Sequence, residues 1–455
     1  MDDEIRSSLK DLALSVRRTV DDGIAKGTLK PEDEPFFRWK VDKFQYTDKG
    51  PTYSQARGES LAKPSWFHAT IKLTESIKKS NEYNIALDQL NNAFGKIDAL
   101  PLHLESFIGK LIHRHLHDSK LSDDDVDVLI ETFLKDLRGE PIKCGADVEL
   151  QGIVLRPEKI EPDFGIIIRQ TRIEDLENEV PEHGFARHDF PPHPSAIMSI
   201  DSVGRAGPEI QERVEEAIIM LRLFKIGSVK WTRYHLRSES VIGIAGGTLI
   251  SGSRTGALET YLVTQEDVVK LKKFWQTMSR AVPENFIEFG IKKPDHLSIA
   301  YKRYSDALLE NGLLERRIAN AVMGLEALLL KPGEIQELPY RLGVRVAKLF
   351  SLLGHDPHEI RKTIGDAYRV RSLFAHGGQL SYERRRKLEA KYKDVKVILL
   401  SALEYLRILI ITMILSRRGK SEFIDLVDDS LVDRKREEFL NSIISSARDI
   451  LGVKE

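Results

Sequence analysis

The residues best suited to chemistry lie in one stretch of the 455-residue chain, Tyr368 to Gly378, which reads YRVRSLFAHGG. It places Arg371 and His376 five positions apart, and two glycines follow the histidine. Arginine stays charged and offers a fork of donors that matches phosphate oxygens, and histidine can transfer a proton near neutral pH. This pair can therefore act on a phosphodiester. The spacing also occurs by chance in helices, and that alternative stays open.

A helix must position these two side chains. Apolar residues precede the motif at intervals of three and four, at Ile360, Ile364, Ala367 and Val370, which predicts an amphipathic helix. The glycine pair predicts its end, because glycine accepts the left-handed conformation there. Residues five apart on an ideal helix point about 140° apart. Arg371 and His376 should then diverge, unless the helix ends near Ala375 and His376 turns back. A helix C-terminus favours protonated histidine, which suits a general acid.

Positive charge is concentrated around the motif. Between Arg361 and Lys396 the chain has eleven basic residues against four acidic ones, whereas its formal net charge is −1 at pH 7. Such a local excess can collect the phosphate backbone of a nucleic acid. We expect RNA to contact five cations of this region, Arg369, Arg384, Arg385, Arg386 and Lys387. A solvated basic helix face is the alternative.

The whole chain sets broader limits. Its near-zero net charge predicts no global attraction to nucleic acid or membrane. The single cysteine, Cys144, excludes a disulfide framework and a cysteine-based zinc site. The long apolar run Val395 to Leu415 contains Lys396, Glu404 and Arg407, so we interpret it as a buried core helix rather than a membrane span. We expect a cytoplasmic protein without membrane association, cofactor or metal.

Four histidines, His103, His113, His115 and His117, suggest a metal site at first sight. Residues two apart on a helix do not share a face, however, and no nearby cysteine or HExxH pattern accompanies them. We therefore favour a solvated basic face for this segment over a metal site.

The pattern of the chain predicts three regions and an α+β fold that is predominantly α. Residues 1–139 are mostly helical, with an irregular polar segment at 32–65. Residues 140–290 form a mixed α/β middle domain, which we interpret as sensory or regulatory. Its strand-like segments are 147–155, 165–169, 196–200, 241–244 and 260–263, and its clear helices are 210–224 and 265–278. Residues 291–455 are almost wholly helical.

In this last region we predict helices at 297–311, 313–330, 337–353, the motif, 383–417 and 433–451. The second of these has Glu326 at the margin of its apolar stripe. A carboxylate there is costly unless it meets a cation, and Arg345 and Arg371 are the candidate partners. The alternative is that Glu326 simply points to water.

The segment from about 297 to 415 resembles the HEPN superfamily and, within it, the Apea-like branch. Three stretches carry the resemblance, in order: Ala321–Leu329 (AVMGLEALL), Leu338–Ala347 (LPYRLGVRVA) and Tyr368–Gly377 (YRVRSLFAHG). The last is similar to the family's R-x4-H motif followed by glycine. The match covers about a quarter of the chain. It implies a HEPN-type helical bundle for 291–455, and the residues before 290 lie outside it.

The resemblance implies a metal-independent endoribonuclease that dimerises through its helical domain, so that two Arg-His pairs build a composite site. Arg371 would bind the scissile phosphate and stabilise its developing charge. His376 would protonate the leaving 5′ oxygen or help to orient the attacking 2′-hydroxyl. The products would be a 2′,3′-cyclic phosphate and a 5′-hydroxyl end.

The family pattern also implies supporting roles. Glu326 would orient the arginine, Tyr368 and Ser372 would shape the pocket, and Arg345 would belong to the same support. Ser372 departs from the asparagine or aspartate that is more usual after the arginine. We expect a toxin or antiviral defence effector restrained by its N-terminal regions, with a protein or small-molecule trigger. The alternative is a HEPN scaffold that binds RNA or a partner without cutting.

Overall fold

The computed structural model describes residues 2–117, 121–177, 180–181, 194–204, 208–242, 246–250, 260–283, 286, 294–310 and 312–451. Helices account for 60% of the structure and strands for 18%. Its C-terminal region is helical and its middle is mixed, so the predicted α+β class, predominantly α, is confirmed.

The secondary-structure elements are numbered in chain order. The helices are α1 (Asp2–Ala25), α2 (Phe67–Ile77), α3 (Asn81–Phe94), α4 (Leu100–His117), α5 (Asp123–Arg138), α6 (Ile173–Leu176), α7 (Pro208–Phe224), α8 (Gln265–Met278), α9 (His296–Leu309), α10 (Leu314–Leu329), α11 (Leu338–Ser351), α12 (Pro357–Ala375), α13 (Tyr382–Tyr392), α14 (Lys396–Ser416), α15 (Lys420–Asp429) and α16 (Arg434–Leu451). The strands are β1 (Glu32–Asp42), β2 (Gln45–Thr47), β3 (Gly50–Thr52), β4 (Gln55–Ser65), β5 (Ile142–Gln151), β6 (Ile153–Leu155), β7 (Lys159–Asp163), β8 (Ile166–Gln170), β9 (Val180–Pro181), β10 (Ala196–Gly204), β11 (Lys230–Ser238), β12 (Gly246–Ile250) and β13 (Tyr261–Val263).

The chain divides into two compact units, each assembled from separate parts of the sequence. The first unit comprises Met1–Glu149, Thr171–Val214 and Arg233–Ile250, and the second comprises Leu150–Gln170, Glu215–Thr232 and Ser251–Glu455. Residues 140–290 thus contribute to both units. The division into 1–139, 140–290 and 291–455 is a different partition and stays a prediction.

The first unit has a helical core. Helices α1, α3, α4 and α5 bury apolar side chains against one another, among them Leu12, Leu90, Phe107 and Phe133. Phe107 and Phe133 stack with ring centroids 4.9 Å apart. Burial of such stripes stabilises each helix far more than its propensity does. In the same unit, strands β12, β11, β5 and β10 lie side by side in that order.

The segment 32–65 is not irregular, so that prediction is wrong. Strands β1 and β4 pair antiparallel along their full lengths, from Glu32 opposite Ser65 to Asp42 opposite Gln55. The ring of Phe37 lies edge-on to Trp39, with centroids 5.4 Å apart. A Cβ at Gly58, which pairs with Trp39, would lie 2.7 Å from the Phe37 ring, so only glycine leaves room for it.

The second unit contains the motif helix in a helical bundle. Helix α14 packs against α9, α10 and α12 and buries Leu399, Leu403, Leu406 and Ile410 completely. By length and composition α14 could cross a membrane, but 72% of its most apolar stretch is buried inside the structure. This packing agrees with the prediction of a buried core helix.

The charges in α14 are accommodated locally. Arg407 is 5% exposed, and its Nη1 donates to the carbonyls of Leu223 and Phe224 at 2.7 and 2.8 Å. Its Nη2 and Nε donate to the carboxylate of Glu404, with Nη2 at 2.5 Å. The guanidinium therefore supplies donors to the last carbonyls of α7, which have no partner within their own helix.

Most predicted helices are confirmed to within two residues, with one clear exception. The single helix predicted at 383–417 is two helices, α13 and α14, because the chain turns at Lys393 with φ of +65°. Helix α15 was not predicted, and α7 and α8 match the predicted 210–224 and 265–278. Four of the five strand predictions also hold, at β5 with β6, β8, β10 and β13. The fifth, 241–244, is a bend at 241–242, and 243–244 lie outside the described residues.

Candidate functional site

Helix α12 carries both candidate catalytic residues, and its ends are well defined. At the N-terminus the Asp356 side chain accepts a hydrogen bond from the backbone N–H of His358 at 2.8 Å. At the C-terminus Gly377 adopts the left-handed conformation, with φ of +75°. The N–H groups of Gly377 and Gly378 donate to the carbonyls of Phe374 and Leu373, each at 2.9 Å. The predicted stop at the glycine pair is confirmed, and His376 is the residue at which the helix ends.

Arg371 turns toward α10. Its Nη2 donates to Oε2 of Glu326 at 2.9 Å, and its guanidinium lies 5.5 Å from the centre of the Tyr368 ring. The Tyr368 hydroxyl also hydrogen-bonds Glu326. Burial, together with the adjacent Glu326 carboxylate, raises the pKa of the Tyr368 hydroxyl. Glu326 thus meets a cation rather than water, and Arg371 is its partner.

The fork of Arg371 is only partly used. Its side chain is 28% exposed. Its Nε is buried and has no hydrogen-bond partner among the described residues. An arginine offers five N–H donors, and an unsatisfied buried donor is costly. Arg371 is therefore fixed in place by Glu326 and still has capacity to bind an anionic oxygen.

Arg345 lies elsewhere in the bundle and does not reach Glu326. Its guanidinium pairs with Glu334 and Asp428 through four contacts of 2.7–2.8 Å, and Nη1 also donates to the carbonyl of Leu329 at 2.7 Å. These hydrogen bonds from Arg345 lower the pKa of Glu334 to about 2. Of the two candidate partners of Glu326, Arg345 is therefore not the one that pairs with it, because Glu334 and Asp428 occupy its guanidinium.

His376 is exposed and faces α13 instead of α10. It lines a cavity of about 750 Å³ between α12 and α13, together with Ser372. Arg371 is not among the residues that line this cavity. The two candidate catalytic side chains of one chain therefore face different neighbours. The helix does end at Ala375, but His376 does not turn back toward Arg371.

The five predicted RNA-binding cations separate into two groups. Arg369, Arg384 and Lys387 line the cavity with His376. Arg385 instead reaches Glu315, with Nη2 3.4 Å from Oε1, and Arg386 is exposed on α13 away from the cavity.

Asp366 is a site residue that the sequence analysis missed. It is buried under the cavity wall, where Arg369 lies 2.8 Å away and the Tyr392 hydroxyl donates at 2.7 Å. Lys391 forms a further ion pair with it. Burial would raise the pKa of Asp366, but hydrogen bonds from Lys391 and Tyr392 outweigh burial and lower it. The available signal was a carboxylate within the apolar stripe of α12, next to Ala367.

The histidines of α4 have different surroundings. His115 is buried, accepts the Leu121 N–H at Nδ1 and lies 3.0 Å from Asp21 through Nε2. The exposed rings of His113 and His117 stack at 4.4 Å. Within the described residues there is no group of three or more His, Cys, Asp or Glu side chains that could hold a metal. The solvated face that we expected applies to His113 and His117, whereas His115 is a core residue.

No protein-family model, curated protein or solved structure matches this chain. The resemblance to HEPN proteins therefore rests on the three stretches quoted above and stays an interpretation. What can be argued about function comes from the side chains of α10, α12 and α13.

Proposed function

We propose that this protein is a metal-independent endoribonuclease of the HEPN type. The observation that carries the proposal is the state of Arg371. Glu326 and Tyr368 hold it beside a helix end, its side chain is 28% exposed, and its Nη1 forms no hydrogen bond with a described residue. An oriented arginine with unused donors is suited to a phosphate oxygen, and His376 follows one turn later at the end of the same helix.

The proposed reaction needs only these two functions. The RNA 2′-hydroxyl attacks the adjacent phosphorus, and the bond from phosphorus to the 5′ oxygen breaks. Arg371 stabilises the charge that develops on the phosphoryl oxygens, and His376 donates the proton that the leaving 5′ oxygen takes up. A 2′,3′-cyclic phosphate and a 5′-hydroxyl end result. Because the attacking group is the 2′-hydroxyl, DNA is not a substrate.

We propose further that the active form is a homodimer. In one chain Arg371 faces α10 whereas His376 faces α13, which favours a site in which each chain supplies one of the two groups. RNA would approach across Arg369, Arg384 and Lys387. A cytoplasmic toxin or antiviral defence effector, restrained by the parts of the chain before 291 and released by a protein or small-molecule trigger, is the setting that we propose.

The test is cleavage of end-labelled RNA in EDTA by the full chain. We expect cleavage by the wild type, with cyclic-phosphate ends. His376→Ala and Arg371→Ala should each lower the rate by about 10²–10⁴-fold. Arg386→Ala, which removes an exposed charge on α13, is the matched control and should retain most activity. Cleavage that persists in both active-site variants would mean that other residues do the chemistry.

The dimeric site has its own test. Mixing His376→Ala with Arg371→Ala subunits, after unfolding and refolding together, creates dimers with one intact arginine and one intact histidine on different chains. Recovery of activity in the mixture supports a site shared between chains. If the co-refolded mixture stays inactive while wild type refolded in the same way is active, the proposal of a site shared between chains is wrong.

The second candidate is a scaffold that binds RNA or a partner without cutting it. The observation in its favour is that Arg384, Arg386 and Lys387 are exposed cations that could hold RNA without any chemistry. Tight RNA binding by wild type without cleavage under any tested condition would support this function over the enzyme.

A further inference from the structure

The cavity between α12 and α13 is lined by apolar and by cationic side chains, and both helices contribute to each kind. The apolar wall residues are Val370, Leu373, Leu380 and Leu388. The volume of about 750 Å³ falls within the roughly 300–1,000 Å³ of small-molecule sites. An apolar wall of this kind gains free energy only from a ligand that also has an apolar surface.

The cationic side chains that line the cavity differ in whether they form an ion pair. Arg369 and Lys391 pair with Asp366. Lys362, Arg384 and Lys387 also line the cavity, and they form no ion pair with any described residue. Three cations without a carboxylate, on two facing helices, favour an anionic group between them.

The combination restricts the ligand class. A simple anion would not use the apolar wall, and a hydrocarbon chain would not need several cations. A nucleotide offers both, because a flat base is joined through ribose to a phosphate. Ser372 and His376 supply polar atoms in the same cavity for the base edge or the ribose.

We propose that this cavity binds one nucleotide unit, with the base against Leu373 and Leu388 and the phosphate between Lys362, Arg384 and Lys387. The inference rests on the proposed function and deepens it, since His376 would then lie beside a nucleotide adjoining the cut. Insertion of one unstacked base requires single-stranded RNA, which is how proteins usually read RNA sequence. A strand is favoured over a free nucleotide because the basic surface continues beyond the cavity along α13 to Arg386.

The experiment measures binding without cleavage, so that its result is independent of the catalytic proposal. Fluorescein-labelled 2′-O-methyl oligoadenosine of eight nucleotides cannot be cleaved, because its 2′ oxygens are blocked. Its affinity for the full chain is compared with that of an abasic strand of equal length and with that of a fluorescent AMP. The variants are Leu388→Ala, with Leu388→Met as the volume-preserving control, and Lys387→Ala, with Lys435→Ala, an exposed lysine of α16 outside the cavity, as the charge-matched control.

We expect Leu388→Ala to weaken binding of the oligoadenosine about tenfold and Leu388→Met to change it little, since alanine removes most of the apolar area that the base would cover, whereas methionine keeps it. The abasic strand should bind more weakly to wild type and be insensitive to Leu388→Ala. Lys387→Ala should reduce the slope of log affinity against log salt by about 0.7, as expected for one lost phosphate contact on a single strand.

Other outcomes are equally decisive. AMP that binds and responds to the same variants, with no oligonucleotide binding, supports the site and makes a free nucleotide its ligand. Equal losses in Lys435→Ala and Lys387→Ala, or equal affinity for abasic and base-bearing strands, overturn the proposal. Binding as expected by wild type that cuts no RNA would leave the nucleotide site standing, because the probe measures binding independently of cleavage.

Discussion

The second unit contains two arginines, Arg345 and Arg371, that differ in burial and in how many of their N–H groups have partners. The Arg345 side chain is 3% exposed, and two carboxylates and one carbonyl occupy its guanidinium. Arg371 is 28% exposed, and one carboxylate oxygen holds it while its Nε has no described partner.

The difference separates a structural cation from an available one. A guanidinium saturated by protein groups is fixed and has nothing to offer a ligand. A guanidinium held at one corner is oriented and can still bind. The number of N–H donors without a protein partner therefore distinguishes the candidate site arginine from the structural one. Residue type and spacing do not.

The largest effect on stability should come from Arg345→Ala. The substitution leaves Glu334 and Asp428 as charges without their partner, which costs about 3–5 kcal/mol for a buried pair. Urea unfolding measures it. Arg341→Ala is the control, because Arg341 also contacts Glu334, at 3.1 Å, but is 44% exposed; it should cost less than about 1 kcal/mol. Equal losses would erase the distinction between saturated and exposed arginines.

A pH dependence should follow from the Arg345 cluster. Hydrogen bonds from Arg345 hold the pKa of Glu334 at about 2, below its ordinary value of 4.5. Since the folded pKa is the lower one, the stabilisation is complete above about pH 4.5 and disappears as the pH falls toward 2. Glu334→Gln should therefore lower the free energy of unfolding by about 3 kcal/mol at pH 7.

The same difference between Glu334→Gln and wild type should shrink steadily as urea unfolding is repeated from about pH 4.5 down to pH 2. A loss that stays constant over this range would show that packing, and not the carboxylate charge, is what the substitution removes.

Arg371→Ala should behave in the opposite way to Arg345→Ala. Glu326 is only 14% exposed, so the loss of its partner should cost about 1.5–3 kcal/mol, less than the loss expected for Arg345→Ala, whereas RNA cleavage should be lost. Arg371→Lys keeps the charge but not the fork, and should recover only a small part of the activity. Unfolding and cleavage assays on the same preparations make the comparison. Severe destabilisation by Arg371→Ala would mean that Arg371, like Arg345, has a structural role.

The smallest effect should come from Tyr368→Phe. The variant keeps the ring beside Arg371 but removes the hydroxyl that hydrogen-bonds Glu326. One lost hydrogen bond to a charged group corresponds to about 1.5–3 kcal/mol at most, and less if water replaces it. We expect a several-fold lower cleavage rate without a change in salt dependence, measured beside Ser372→Ala. An unchanged rate would mean that Glu326 alone orients Arg371.

The sequence predicts local features of the site well. The apolar interval of α12 and the glycine pair after His376 define where the helix begins and ends, because both depend on neighbouring residues. Divergence of Arg371 from His376 also follows from helical geometry alone. For Glu326 the sequence offered two candidate partners, Arg345 and Arg371, but it could not show which of them forms the ion pair.

Features that depend on distant partners could not be predicted. Arg345 is saturated by Asp428, 83 residues away in sequence, and nothing near either residue signals this. The sequence analysis did not predict the pairing of β1 with β4, because charged residues and a proline interrupt the apolar pattern. Phe37, Trp39 and Val41 do occupy alternate positions of β1. The cavity depends on how α13 folds back beside α12 after the turn at Gly377, and this tertiary packing cannot be read from the local pattern.

Helix α13 has no buried residue, and the contacts that fix it are mainly ionic. Lys391 and Tyr392 are anchored on Asp366, and Arg385 on Glu315. The Lys391 and Arg385 side chains are 28% and 43% exposed, whereas both carboxylates are buried, so salt screens these pairs only in part. A higher ionic strength should therefore loosen α13 modestly. In hydrogen–deuterium exchange the amides of α13 would then respond to salt more than those of α14.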